Sequence, residues 1–572
     1  MSTRVYNDDR HRVPVCINQG DIEERSQQVA LMGDTYRQCS QVRIWLGCVQ
    51  SECGLEQGPR RVDSVLEDSS APMNPFDLIR HLAEDEHVHT WSCFKKDANG
   101  NITYRETGAF KESWYGFLKI AKSVWWTRMW TVQEVILPKA GILTYDTWSI
   151  SLDALTQCGA RYNDHVRDCC AAGYLLLPQN IEAALDEFCS NFQTLDRDRN
   201  TLEDDEYFDI QEQHLSYGER ACQDPRDKVY GLLALIGDTS DLDYWLTPDY
   251  SKSESEVFYG ATVAMLNRDW RSLKCLTGAQ YGMKANKWAS WARDFAMPMT
   301  HLDTGTGSQR LITYELFDAS KGGLARVETY QTMQYFPDGM SYQKGLRVSG
   351  RCVGNVGKVH AVAQGGTTSE QRNQFKDTLK SWIKASQVDF GTAHNGQQHS
   401  DTMRRLWRTL LGGVSWTGQD NKDLFLPRIF DDSAMSWVAP FLDSLRTRAP
   451  DEMPALYRAL TIALHGRCYF QTEEGAQGLC YPTTKEGDQI WVINGSRVPF
   501  TIRCEQLSIE EAHELRPWDA YGVNEEGDWG VKANFVPEQS PCGYYSLIGD
   551  CYLDGYMHGE GAVDATHPII LV

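Results

Sequence analysis

One string, VCINQGDIEERSQQVALMGDTYRQCSQVRIWLG at residues 15–47, constrains the fold more than any other part of the chain. Val15, Cys16 and Ile17 form a short apolar run that reads as the end of a strand, and Asn18-Gln19-Gly20-Asp21 breaks it. Asp21 precedes Glu24 at capping-box spacing, so a helix is expected to begin there, with the Asp21 side chain accepting from a first-turn N–H. Val29, Met32 and Tyr36 recur at helical spacing and supply one apolar face. Val42, Ile44 and Leu46 then alternate with Arg43 and Trp45, the pattern of a half-buried strand, closed by Gly47. Strand end, helix and strand in that order make a βαβ-type unit, which implies parallel pairing through a right-handed crossover.

A second string, RMWTVQEV at residues 128–135, extends this pattern. Together, "CINQ…ER..QV..M...Y", the "V.IWLG" strand and the "R.WTVQE" helix resemble the fungal heterokaryon-incompatibility (HET) domain over residues 13–146. DPRDKVYGLLAL at 224–235 and GYYSLIGDCYLDGYMHGE at 543–560 are similar to segments that follow this domain in family members. The resemblance implies an α/β fold with a flavodoxin-like parallel sheet, close to that of Toll/interleukin-receptor (TIR) domains. Family members usually carry an opening "Y.WG" strand and a helix ahead of the CINQ strand. Here only MSTRVYNDDRHRVP precedes Val15. The chain is therefore expected to be N-terminally truncated relative to the family, its sheet lacking the first strand and leaving a neighbouring edge unpaired.

With 572 residues, 41% of them hydrophobic, the chain has room for about two to four packed domains. No apolar run is long enough to span a membrane, and the polar N-terminus has no signal-peptide core. The 17 cysteines are an odd number with no CxxC pair and no zinc-finger spacing, which fits a reducing compartment. A formal charge of −22 opposes binding to phosphate backbones. The expectation is a soluble cytoplasmic protein that binds other proteins and not nucleic acid.

Four regions are expected. Residues 1–146 form the partial HET domain, with a polar insertion at 51–112 that contains one helix near Phe76–Leu82. Residues 147–345 read as mainly helical, and 346–464 as mixed α/β. Residues 465–572 read as a β-rich module, because DQIWVINGSRVPFTIR at 488–503 holds two alternating runs around Asn494-Gly495, a strong hairpin signal.

Trp130 and Glu134 stand four apart, so on a helix they share a face. Their spacing resembles the motif of TIR domains, whose NAD-cleaving members use a Glu at this place. That likeness implies Glu134 as a catalytic carboxylate facing a cationic ribosyl centre as nicotinamide leaves, with NAD as substrate and no bound cofactor. The plainer reading pairs Glu134 with Arg128 or uses it to support packing under Trp130. Asn18 and Gln19 lie where a parallel strand ends, the usual rim for ligands in open α/β sheets; with Trp130 they are candidates to line a nucleotide pocket. A turn closed by an Asx-type bond is the alternative. Cys16 has no nearby His partner in sequence and reads as a small buried thiol. His81, His87 and His89 sit beside Glu84, Asp85 and Glu86 in HLAEDEHVH, but the spacing matches no zinc motif, and no metal site is expected. Asp224 and Pro225 suit the start of a helix, and Arg226 can reach a carboxylate.

The HET resemblance implies a role in fungal non-self recognition, with growth arrest or programmed cell death after incompatible fusion. Its partners would be products of incompatible alleles or further copies of the chain. Two mechanisms compete: NAD cleavage through Glu134, and a non-catalytic module that signals by oligomerising. A truncated homologue without activity is a further alternative.

Overall fold

The computed structural model describes residues 17–47, 74–97, 101–203, 208–236, 246–268, 272–278, 289–325, 328–336, 339–366, 368–388, 401–414, 441, 445, 454–505, 521–523, 529–531, 544–560 and 566–572. Val15, Cys16 and the segment expected to lack an opening strand lie outside them. The chain divides into two compact units, Met1–Ser253 and Glu254–Val572.

In the first unit, helix α1 (Ile22–Gln38) starts where the cap residue places it. The Asp21 side chain accepts from the N–H groups of Glu23 and Glu24. Glu24 reaches back past the cap and accepts from the Asn18 N–H at 3.1 Å, so the turn and the helix start hold each other. The helix lies mostly at the surface, and only Gly33 is fully buried. A Cβ at Gly33 would sit 2.6 Å from that of Ala234, so the small residue lets the GLLAL segment approach the helix.

Strand β1 (Val42–Gly47) buries Val42, Ile44 and Leu46 and exposes Arg43 and Trp45, as the alternation requires. Helix α2 (Asp77–Ala83) buries Leu78, Ile79 and Leu82, so residues expected as a polar insertion feed the core. A short hairpin, β2 (Phe94–Lys96) and β3 (Ile102–Tyr104), leads into α3 (Gly108–Ala121), which buries Phe110, Trp114, Phe117 and Ile120. After α4 (Thr131–Ile136) come β4 (Gly141–Tyr145) and β5 (Trp148–Ser151). β1 pairs in parallel with β4, and β4 turns back antiparallel into β5. Among the described residues this sheet has the order β1-β4-β5 and one parallel pair. Among the described residues the elements that follow in this unit are helices: α5 (Leu152–Arg167), α6 (Ala171–Tyr174), α7 (Gln179–Glu203), α8 (Ile210–Tyr217) and α9 (Asp227–Tyr230). The apolar faces of α5, α6 and α7, with Tyr217 of α8, join the sheet and α3 in one core that runs from Val42 to Leu235.

The second unit begins with α10 (Glu254–Arg268) and α11 (His301–Tyr314), and strands take over at β6 (Glu328–Phe336) and β7 (Gly339–Ala363). Helices α12 (Ser369–Ala385), α13 (Asp401–Leu410) and α14 (Pro454–Leu464) follow. Then come β8 (Arg467–Thr472), β9 (Gln477–Cys480), β10 (Gln489–Ile493), β11 (Phe500–Glu505), the small pair β12 (Tyr521–Val523) and β13 (Trp529–Val531), β14 (Tyr544–Asp550), β15 (Tyr552–Leu553) and β16 (His567–Leu571). The described part of 465–572 is therefore β-rich. β7 pairs along its length with β6, β16, β10 and β8. Through β10-β11-β14-β16-β7 and the return pairing of β7 with β10, five strands close into a barrel-like ring.

The charged centre of this unit is buried. Asp550, at the end of β14, accepts from Arg467 Nη2 at 2.7 Å, from the Gly278 N–H at 2.8 Å and from the Tyr314 hydroxyl. Arg467 and Asp550 side chains are 3% and 0% exposed. His558 and Glu560 close a local turn through the His558 N–H and Glu560 Oε2 at 2.7 Å.

Asn494-Gly495 forms a turn but not a two-residue hairpin. The Ile493 carbonyl accepts from the Ser496 N–H at 2.9 Å, and of the two central residues only Gly495 has a positive φ, +83°. That geometry belongs to a type II turn, which splays strands instead of twisting them together. β10 and β11 accordingly pair from Trp491↔Phe500 outward, beyond a longer loop. A Cβ at Gly495 would lie 2.6 Å from the Ala325 backbone nitrogen. Gly495→Ala is therefore expected to cost about 1–3 kcal/mol, read as a lower urea midpoint with an unchanged slope.

Candidate functional site

Helix α4 is one and a half turns long, and every residue from Thr131 to Ile136 is buried. Glu134 is 8% exposed, and its Oε2 accepts from Trp125 Nε1 at 3.3 Å. The Tyr36 hydroxyl from α1 hydrogen-bonds the same carboxylate. Burial pushes the Glu134 carboxyl up to about 7, against the positive charge of Arg128 and the two hydrogen bonds. Burial, and then the nearby Glu134, push the Tyr36 hydroxyl well above its ordinary value. A carboxyl balanced near neutrality can hold or release a proton at physiological pH.

Trp130 precedes the helix and turns elsewhere: its Nε1 donates to Asp227 Oδ2 at 3.1 Å. Asp227, at the start of α9, also accepts from the Tyr250 hydroxyl at 2.5 Å. Arg25 of α1 lies 3.9 Å from Asp227 and 2.9 Å from Asp224, with its guanidinium 3.5 Å from the centre of the Tyr250 ring. Arg226 grips Asp224 with two parallel bonds, Nε to Oδ1 at 2.9 Å and Nη2 to Oδ2 at 2.8 Å. Its Nη1 donates to the carbonyls of Tyr250 and Lys252.

The two carboxyls respond in opposite directions. Burial raises Asp227, held back by the hydrogen bonds from Tyr250 and Trp130. Burial also acts to raise Asp224, but the hydrogen bonds and charge of Arg226, with Arg25 behind them, hold it below the usual carboxylate range. This cluster draws the three sequence motifs of the unit together: Arg25 from the first, Trp130 from the second, Asp224, Arg226 and Asp227 from the third. Its geometry is that of a latch between segments. Arg25 and Tyr250 escaped the sequence reading, because only their partners mark them out. Arg25 lies within the first motif, 199 residues from Asp224, and nothing local shows which carboxylate it meets.

Asn18 and Gln19 are exposed. Asn18 Oδ1 accepts from the Gly20 N–H at 3.1 Å, the Asx-type bond of a turn. His81 Nδ1 pairs with Glu86 Oε2 at 2.6 Å on the surface. His87 points instead toward the end of α5, and His89 stacks on it with ring centres 5.0 Å apart.

Comparison with known proteins agrees with the motif resemblance. Residues 14–134 match the family model for the heterokaryon incompatibility protein (HET). Heterokaryon incompatibility protein 6, OR allele, of Neurospora crassa is 26% identical over 627 aligned residues, which cover 96% of this chain and 80% of that protein. No solved structure matches. The family match spans the capped helix α1, strand β1 and the α4 segment that carries Trp130 and Glu134, so this chain is a HET domain-containing protein.

Proposed function

We propose that the chain acts in fungal non-self recognition as a heterokaryon-incompatibility-type protein, and that its HET domain signals by binding and assembly. Growth arrest or programmed cell death after incompatible fusion is the outcome assigned to it. Its partners are products of incompatible alleles or further copies of the same chain. The observation that carries the non-catalytic reading is the setting of Glu134: it is almost fully buried and engaged by Trp125 and Tyr36, while Trp130 is committed to Asp227. In this reading Glu134 ties α1, the turn before α4 and α4 into one packed block. The parallel β1–β4 pair supports a TIR-like arrangement of the same domain.

A second reading, TIR-like NAD cleavage, is favoured by one observation, the carboxyl held at about 7. Glycoside-cleaving enzymes raise a carboxyl in this way to move protons near neutral pH. In that reading Glu134 faces the developing ribosyl cation, with Asn18, Gln19 and Trp130 at the nucleotide.

Glu134→Gln separates the two. The folded pKa, about 7, lies above the ordinary value of 4.5, so the folded state keeps a proton that the unfolded chain has lost between those values. The stabilising contribution is present in full at the lower end and disappears as pH rises through 7, a loss of about 3 kcal/mol. The thermal midpoint of the wild-type chain is expected to fall between about pH 5 and pH 8, and the Gln variant should flatten that slope. Growth arrest in fungal cells should survive the substitution. NAD loss slowed by about 100-fold or more in a well-folded Gln variant would sink the assembly reading.

A further inference from the structure

A second cluster lies where α5 ends. His165 is on the last turns of α5, Cys169 and Cys170 follow in the turn after it, and His87 comes from the loop after α2. Their ligand atoms all lie within 4.8 Å of one another. Zinc held by sulfur at about 2.3 Å and by nitrogen at about 2.0–2.1 Å sets tetrahedral edges of roughly 3.8 Å between sulfurs and 3.6 Å between sulfur and nitrogen. The two sulfurs are 3.8 Å apart. Cys170 Sγ lies 3.5 Å from Nδ1 of both His87 and His165. Cys169 Sγ lies 3.2 Å and 3.1 Å from the same two nitrogens.

We propose that His87, His165, Cys169 and Cys170 form a structural Zn2+ site that clamps the loop after α2 to the end of α5. His165 has the outer contact that a zinc-bound imidazole requires. His165 Nε2 meets Asp85 Oδ1 at 3.1 Å, which fixes the ring tautomer and turns the Nδ1 lone pair toward the cluster. Arg161 holds the same carboxylate oxygen at 3.5 Å, and the Asp85 backbone adopts φ +66° to present it. The Val88 N–H points at Cys170 Sγ from 3.3 Å and orients that sulfur toward the cluster. Two thiolates and two imidazoles complete a tetrahedron with no position left for substrate, so the metal is structural. Soft sulfur and borderline nitrogen donors in this geometry select zinc over magnesium or calcium.

The full-length chain, purified under a non-chelating reductant, should contain about one zinc per chain by elemental mass spectrometry. Exchange with Co2+ should give the visible bands of tetrahedral cobalt together with thiolate-to-metal charge transfer. Cys169→Ser should weaken metal binding by about 10-fold or more, whereas Cys222→Ser, away from the cluster, should leave it unchanged. Cys169→His keeps four donors and should retain cobalt with weaker charge transfer, a readout independent of any folding loss in the serine variant. A folded wild-type chain that takes up neither zinc nor cobalt would overturn the proposal. So would cobalt bands without charge transfer, or metal content untouched by the Cys169→Ser/Cys170→Ser double variant.

Discussion

Replacing Asp550 by alanine is expected to destabilise the C-terminal unit by about 3–5 kcal/mol, the cost of leaving a buried charge without its partner. Arg467 would keep its guanidinium in a site 3% exposed, while the Gly278 N–H and the Tyr314 hydroxyl would lose their acceptor. Unfolding of the full chain in urea, with amide exchange read in β8 and β14, locates the loss. The double variant Arg467→Met/Asp550→Ala should cost less than the sum of the two single changes, because it removes the stranded charge as well as the pair. Strict additivity would mean that Arg467 and Asp550 are not energetically coupled, and would refute the assignment of this pair as the centre of the unit.

Asp227→Ala is expected to cost the N-terminal unit about 3 kcal/mol, since two donors, the half-buried Trp130 Nε1 and the buried Tyr250 hydroxyl, would lose their acceptor at about 1–3 kcal/mol each and Arg25 would lose a neighbouring charge. Asp227→Asn keeps one acceptor oxygen and should cost less than half as much. The Trp130 indole should also become more solvent-exposed in the alanine variant, visible as a red-shifted fluorescence component absent from a Trp130→Phe control. A stability change under about 1 kcal/mol would show that the latch does not hold the segments together.

The parts of the fold that sequence revealed are those decided within a few residues. The Asp21 cap, the alternation of Val42, Ile44 and Leu46, and the Gly-spaced strands after residue 465 each follow from local chemistry. Asn494-Gly495 was legible as a turn, but not its type, because Asn494 keeps the ordinary backbone sign and the strands meet only beyond the loop. Trp130 and Glu134 illustrate the limit. Their spacing predicts one shared face, yet the helix begins at Thr131, after Trp130, so the indole leaves for Asp227 while the carboxyl meets Trp125. Cys169 and Cys170 are adjacent in sequence and far from His87, so no ligand spacing could display their convergence.

β7 couples the barrel-like unit to the order of synthesis. Leu346 in that strand is partnered by Leu571 in β16, and Gly350 by His567, so the ring stays open until β16 has left the ribosome. Until then the Leu346–Gly350 stretch of β7 and the Tyr544–Tyr545 end of β14 each lack the neighbour that β16 supplies, a short bare edge of the kind that chaperones guard and that neighbouring chains can capture. A message cut short before β16 would yield a polypeptide in which nothing bridges β14 to β7, a natural target for cellular quality control.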